Sequence, residues 1–311
     1  MASMCTFTRY DLENVRVVGN DVTVNRPKVA AYRAPGAPIS VFGVESVVDE
    51  MAKKTGIDPI EFRLRNAAKE GTQTYYGPKL GSIGYIESLE KARAHPHYSA
   101  PLGPNQGRGV ATGFWFNIGN ETAVSLNINE DGTVTLVLGT VDVAGGSRAA
   151  MAMMVAEELG IDYDKVRPII GDTSSLGYNF VTAGSRGTFA SGMASVLAAR
   201  QAIEKMRQRV AEIRDVPLDD VIWKDGQARP ASSAAGQFAP MSLAEIAKVV
   251  GKTGGAIAGH AEINAQGAGP GFGTHIVDVE VDKQTGLIKI LRYTVVQDVG
   301  KAIHPAYVEG Q

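Results

Sequence analysis

Two stretches carry residue types whose spacing suits the binding of an anion. Val141-Asp142-Val143-Ala144-Gly145-Gly146-Ser147-Arg148 follows the strand-like run Thr133 to Leu138 and leads into a helix-like segment, Ala149 to Gly160. Val181-Thr182-Ala183-Gly184-Ser185-Arg186-Gly187 repeats the layout ahead of a long Ala-rich helix. A strand, a glycine turn and a helix in succession aim free backbone N–H groups and the positive end of the helix dipole at one point. Two such turns imply one large anionic cofactor gripped twice. The candidate contacts are Gly145, Gly146, Gly184, Ser185, Arg186 and Gly187. The plainer alternative is a simple helix start at each turn, with Ser185 bonding its own turn as an N-cap.

Other chemistry-bearing residues are less organised. His95, His97, His260, His275 and His304 are scattered without metal-ligand spacing and read as surface or structural. Asp172-Thr173 reads as the turn ending a strand, and Asp219-Asp220 as a solvated spot.

The elements that must position these residues follow from periodicity. Residues 14–33 read as short extended segments, and Ala30 to Pro38 as a stiff irregular loop set by Pro35, Gly36 and Pro38. Val44, Val47, Val48 and Met51 share one helical face, which predicts a helix from about Ser40 to Lys54, ended by Gly56. Asp58-Pro59 caps a second helix, to about Lys69, and a short helix falls near Ile86 to Ala94. A linker-like run from His95 to Gly107 predicts a boundary between residues 1–100 and 101–311. Strands are predicted over 109–116, 122–128, 133–138 and 165–171, a helix over 187–212, a hairpin near 221–228, a Ser242-capped helix over 243–250, and alternating strands over 275–281 and 288–296. The expected class is α+β, with mixed sheets and helices on their faces. The last segment stops without a cap, so the chain is expected to be one piece of a larger subunit.

Bulk properties bound the function. The chain has 311 residues, enough for about two domains. A net charge of -2 offers no basic field for nucleic acid. Cys5 is the single cysteine, which excludes a disulfide framework and a Cys-ligated iron–sulfur cluster within this sequence. No apolar run reaches ~18 residues, and the first residues lack an apolar signal core, so a cytoplasmic protein without a membrane span is expected.

Several segments together resemble the molybdenum-cofactor-binding large subunit of the xanthine dehydrogenase / aldehyde oxidase family. They are Ala31-Tyr-Arg-Ala-Pro-Gly-Ala-Pro38, Glu45-Ser-Val-Val-Asp-Glu-Met-Ala52, Asp58-Pro-Ile-Glu-Phe-Arg-Leu-Arg-Asn66, Gly171-Asp-Thr173, Thr182-Ala-Gly-Ser-Arg186 and the closing Val299-Gly, His304-Pro and Val308-Glu-Gly-Gln311. The resemblance implies a molybdenum–pterin dithiolene, extended by cytosine dinucleotide, whose metal is held by the pterin. Arg33, Ala34 and Pro35 would lie against the metal centre, Gly145 and Gly146 against the pterin, Gly184 to Gly187 against the phosphates, and Gln311 beside the pterin. Phe114 or Trp115 would line the substrate funnel, the alternative being a core role on an alternating strand. Arg33 has the alternative of a buried arginine pairing a carboxylate.

The implied reaction is hydroxylation of an aldehyde or an aromatic N-heterocycle, with water as the oxygen source. Electrons would leave to a 2Fe-2S subunit and an FAD subunit. The remaining part of the molybdenum subunit would be a further partner, in an obligate oligomer. Three departures stand out. Ala144-Gly145-Gly146 replaces the family's Gly-Gln-Gly, which removes an amide donor. Pro38-Ile39 replaces Pro-Gln. The Arg33 loop lacks the cysteine of the carbon-monoxide branch, which favours the hydroxylase branch. The family's general-base glutamate falls beyond the closing motif, so the isolated chain is expected to be inactive. The alternative is a non-catalytic molybdopterin-binding or degenerate fragment.

Overall fold

The computed structural model describes residues 1–27, 31–172, 174–232, 237–266 and 269–311. Ala30, at the head of the expected irregular loop, and Thr173 lie outside the described residues. The chain divides into two compact units: residues 1–117 with 269–301, and residues 118–268 with 302–311. The expected boundary near residue 100 is therefore displaced. The first strand after the linker pairs with a strand close to the C-terminus, and that pairing carries residues 101–117 into the first unit.

The first unit holds helices α1 (Ala2–Cys5), α2 (Ala37–Thr55), α3 (Pro59–Arg65), α4 (Tyr85–Ala94) and α5 (Pro96–Ser99). Its sheet runs β1 (Gln106–Trp115), then β9 (Gly271–Val281), then β10 (Ile288–Asp298), all antiparallel. The helix boundaries follow local chemistry. Gly36 and Gly56 take left-handed φ of 80° and 68° at the two ends of α2, a conformation open to a residue without Cβ. The Asp58 carboxylate accepts from the N–H groups of Ile60 and Glu61 at the start of α3. The expected extended segments over 14–27 form no strand, because no partner strand pairs with them. The His95–His97 linker is instead a helix turn, and His97 is buried with its Nε2 facing the Asp278 carboxylate at 3.1 Å.

This unit's core carries a charged network. Glu45 is buried on α2 and accepts from Tyr10 Oη at 2.5 Å, Arg63 Nε at 2.9 Å, and the Thr112 N–H and hydroxyl at 2.7 and 3.0 Å, while Arg9 Nε stands 3.4 Å away. Burial pushes the Glu45 carboxyl up, but Arg63 and Arg9, with the Tyr10 hydroxyl, outweigh it and hold it below the usual carboxylate range. Glu45, in one of the segments that carry the family resemblance, is thus part of an internal brace.

The second unit is built on a mixed sheet, in the order β4 (Val166–Ile170), β3 (Val134–Leu138), β2 (Asn120–Ile128), β8 (Ala258–Ala265). Strands β3 and β4 are parallel and joined by α6 (Ser147–Leu159), the crossover that a parallel pair requires. A π-helical turn, Gly187–Ser191, leads into α7 (Gly192–Arg214). A small sheet of β5 (Val221–Lys224), β6 (Gln227–Pro230) and β7 (Met241–Ser242), the capped helix α8 (Leu243–Thr253) and the terminal helix α9 (Pro305–Gly310) complete it. Alternating residues of β2 and β3, the Met151–Val155–Leu159 face of α6 and the small residues of α7 fill one core. Strand β8 lacks a strong apolar alternation and escapes a periodicity reading. It is set by α7: a Cβ at Gly259 would overlap the Ala198 carbonyl, so helix and strand approach at backbone distance.

Candidate functional site

Both glycine turns lie in the second unit, and the fold brings them together. The first follows the C-terminal end of β3, the end at which open α/β sheets place ligands. The main-chain N–H of Val141 donates to the Thr182 hydroxyl at 3.2 Å. The Thr140 and Ser191 hydroxyls, both buried, pair with each other. A Cβ built on Gly187 would stand 3.7 Å from Ser147 Oγ and 3.8 Å from Thr140 Cγ2. The start of the π turn therefore adjoins the start of α6. The terminal helix reaches the same place, because a Cβ on Gly146 would meet the Tyr307 ring at 2.9 Å. Gln311 follows one turn later, its N–H on the Tyr307 and Val308 carbonyls at 3.1 and 3.2 Å.

The helix starts in this region, like that of α2, lack the side-chain caps seen at α3 and α8. α3 and α8 carry side-chain caps, from Asp58 and from the Ser242–Glu245 capping box. Neither α6 nor the π turn has a side-chain cap from its N-cap residue or an acidic residue in its first turn. Helix N-terminal N–H groups without caps leave a positive field that attracts anions. Asp142 softens it at the first turn, accepting from the Arg148 N–H at 3.3 Å. At the second turn, Ser185 and Thr188 are exposed hydroxyl donors. The sequence does not single out Tyr307, or the bridging role of Thr182, since nothing local marks a Thr or Tyr as a loop-bridging residue.

The predicted residues fare differently. Gly145 is exposed, and a Cβ there would meet nothing within 4 Å. Gly146 is buried as the α6 N-cap, with φ 71°. Gly184 and Ser185 are left-handed, with φ of 66° and 58°. Arg186 does not face outward. It is 1% exposed, and its guanidinium donates to the carbonyls of Gly119, Phe180, Asn120 and Glu121 at 2.6, 2.9, 3.4 and 2.7 Å. Burial pulls its pKa below the usual arginine range. Hydrogen bonds from a charged donor contribute about 1.5–3 kcal/mol each, against about 1–2 kcal/mol for a left-handed non-glycine residue.

In the first unit, Arg33 is exposed, Ala34 is left-handed with φ 53°, and Pro35 precedes the Gly36 cap of α2. Phe114 is 4% exposed and packs on Phe272 with ring centroids 5.3 Å apart. The substrate-lining reading is thus corrected for Phe114, whose inward position on β1 makes it a core residue. Trp115, the next residue, is half-buried and stacks on Phe116 at 4.6 Å.

Backbone strain singles out the nominated loops. The described non-glycine residues with positive φ are Ala34, Asn105, Asn120, Ala144, Ser185, Asp215 and Asp225. Asn and Asp adopt this region readily. The other three, Ala34, Ala144 and Ser185, fall one in each of the three loops nominated from sequence, and strain of this kind clusters at functional sites.

Comparison with known proteins identifies the family. At 30% identity over 314 aligned residues, the chain is similar to the xanthine dehydrogenase molybdenum-binding subunit of Escherichia coli O157:H7, covering 92% of this chain and 40% of that one. It is 26% identical to the aldehyde oxidoreductase molybdenum-binding subunit PaoC of Escherichia coli K12, over 93% of this chain and 39% of the relative. The chain therefore spans about 40% of the length of the curated relatives it matches. The crystal structure of the aldehyde oxidoreductase from Desulfovibrio desulfuricans shares the fold, with a TM-score of 0.76 and 24% identity over 99% of this chain and 33% of that one. Family models described as molybdopterin cofactor-binding domains match residues 1–67 and 86–311. The chain belongs to the molybdopterin cofactor-binding domain family.

Proposed function

We propose that this chain supplies part of the molybdopterin site of a molybdenum hydroxylase, as a segment of an oxidoreductase subunit. The observation that supports it most is the convergence of two glycine-turn helix starts and the α9 segment within one unit. The donors gathered there are main-chain N–H groups and hydroxyls, which suit phosphate and pterin rather than a bare cation. Gly145 and Gly146 would meet the pterin through their backbone. Gly184 to Gly187, with the Ser185 hydroxyl, would hold the phosphates of a cytosine dinucleotide extension, and Gln311 would border the pterin. In the first unit, the exposed Arg33 with Ala34 and Pro35 would serve the metal end, and Trp115 the substrate.

When bound, the cofactor supplies a redox-active molybdenum that takes up electrons from substrate. This chain's part is to bind and orient it. The substrate class is an aldehyde or aromatic N-heterocycle, hydroxylated with water as the oxygen source. The partners are the remainder of the subunit, a 2Fe-2S subunit and an FAD subunit, in the cytoplasm. The relatives named as xanthine dehydrogenase and aldehyde oxidoreductase subunits support this class.

A second reading, a cofactor-holding chain without turnover, is favoured by Gly145, where the space for an amide side chain is open but the side chain is absent. Co-expression with candidate partner subunits, followed by molybdenum analysis and dye reduction with an aldehyde, separates the two. Metal with turnover supports the first reading, and metal without turnover the second. No metal in any pairing overturns both.

A further inference from the structure

We propose that Arg186 is a positioning residue. Its buried guanidinium holds the Gly184–Ser185 turn in its left-handed form, so that the main chain and the Ser185 hydroxyl, and not the guanidinium, receive the ligand. The proposal rests on reading this turn as part of the cofactor site.

The geometry is that of a clamp between two chain segments. One is the bend leading into β2. There Asn120 is left-handed with φ 66°, a Cβ on Gly119 would overlap the Ala265 carbonyl, and the Ile118 N–H donates to Gly184 O at 2.9 Å. The other is the loop before the π turn, tied to β2 by the Phe180 N–H on Glu121 O at 3.0 Å. Arg186 bridges both through carbonyls at positions 119, 120, 121 and 180. A planar fork spreads five donors over carbonyls of both segments, whereas a lysine ammonium radiates three donors from a single atom. A ligand phosphate would have to strip these bonds to reach the side chain, which is almost fully covered. Ser185, directly before it, is exposed and held at a φ that serine seldom adopts.

The test compares the full chain, R186K and S185G/R186K, each co-expressed with partner subunits. The readouts are thermal melting, amide hydrogen exchange and bound pterin measured by fluorescence after oxidation. In R186K, amides of residues 183–188 should exchange about tenfold faster, and pterin content should fall by a similar factor. Core amides of β2 and β3 should keep their rates. Because glycine adopts positive φ freely, S185G/R186K should recover most of the exchange protection, while its pterin content stays below the parent's for want of the Ser185 hydroxyl. Parental exchange and pterin content in R186K overturn the proposal. So does lost pterin with parental exchange, which would make Arg186 a direct ligand. Absence of recovered protection in the double variant counts against it as well. Should R186K not fold, S185G/R186K must fold, and failure of both overturns the local role. A parental chain that never carries pterin defeats the proposed function instead, while the exchange comparison still decides the role of Arg186.

Discussion

The Val141 N–H donates to the Thr182 hydroxyl at 3.2 Å across 41 residues of sequence. This bond joins the two glycine turns into one surface and explains why neither turn alone has the features of a complete site. Gly187 beside Ser147, and Tyr307 over Gly146, extend the same surface to two helix starts and the C-terminal helix.

Gly145 should accept a larger side chain. Its built Cβ meets nothing within 4 Å, and its φ lies outside the left-handed region. Gly145→Gln is therefore expected to change stability by less than about 1 kcal/mol. It should also raise pterin retention by adding an amide donor beside the first turn. Pterin content at or below that of the parent chain after gel filtration would count against cofactor contact there.

Gly146 should not accept one. Its φ is 71°, and a Cβ would press on the Tyr307 ring. Gly146→Ala combines left-handed strain with overpacking, for a loss of about 2–4 kcal/mol. Urea unfolding of the two glycine variants gives the comparison, and an unchanged midpoint in Gly146→Ala would contradict the packing of α9 on this turn.

Neighbouring aromatic residues on β1 should separate stability from substrate handling. Phe114→Ala empties a site against Phe272 in the first unit's core, and should cost about 3–5 kcal/mol. Trp115→Ala should cost less, since the ring is only half-buried. Any change in relative rates among aldehydes in the assembled enzyme should appear with Trp115. A thermal shift of equal size in both variants would refute the assignment.

The Glu45 brace makes a pH prediction. Its carboxyl is held below the usual range, so its contribution is present above about pH 4 and is lost as pH falls through its lower folded value. Asp278, held down by the hydrogen bond from Arg108, acts in the same direction. Denaturant midpoints should drop between pH 6 and pH 3, and Glu45→Gln should lose about 3–5 kcal/mol at pH 7 by removing the buried charge that faces Arg9 and Arg63. A Glu45→Gln midpoint equal to the parent's at pH 7 would show that the ion pairs contribute nothing.

Much of this was legible in the residues. The Val44–Met51 periodicity, the Asp58-Pro59 cap, the β2 and β3 alternation and the glycine punctuation are local signals, and the α+β class with its family resemblance follows from them. The glycine turns were visible because left-handed backbone demands glycine or a strained substitute, and Ala34, Ala144 and Ser185 occupy such positions. What a sequence does not encode locally is direction and company. Arg186 looked like a phosphate ligand because arginine beside a glycine turn usually is charged and exposed. Only the bend at 118–121 supplies the carbonyls that draw it inward. Phe114 and Trp115 are adjacent and similar in type, yet strand alternation sends one into the core and leaves the other half-exposed. Likewise, β1 belongs with β9 and β10 because backbone N–H and C=O groups must find partners wherever the chain brings them, and that pairing, at long sequence separation, moved the boundary between the two units.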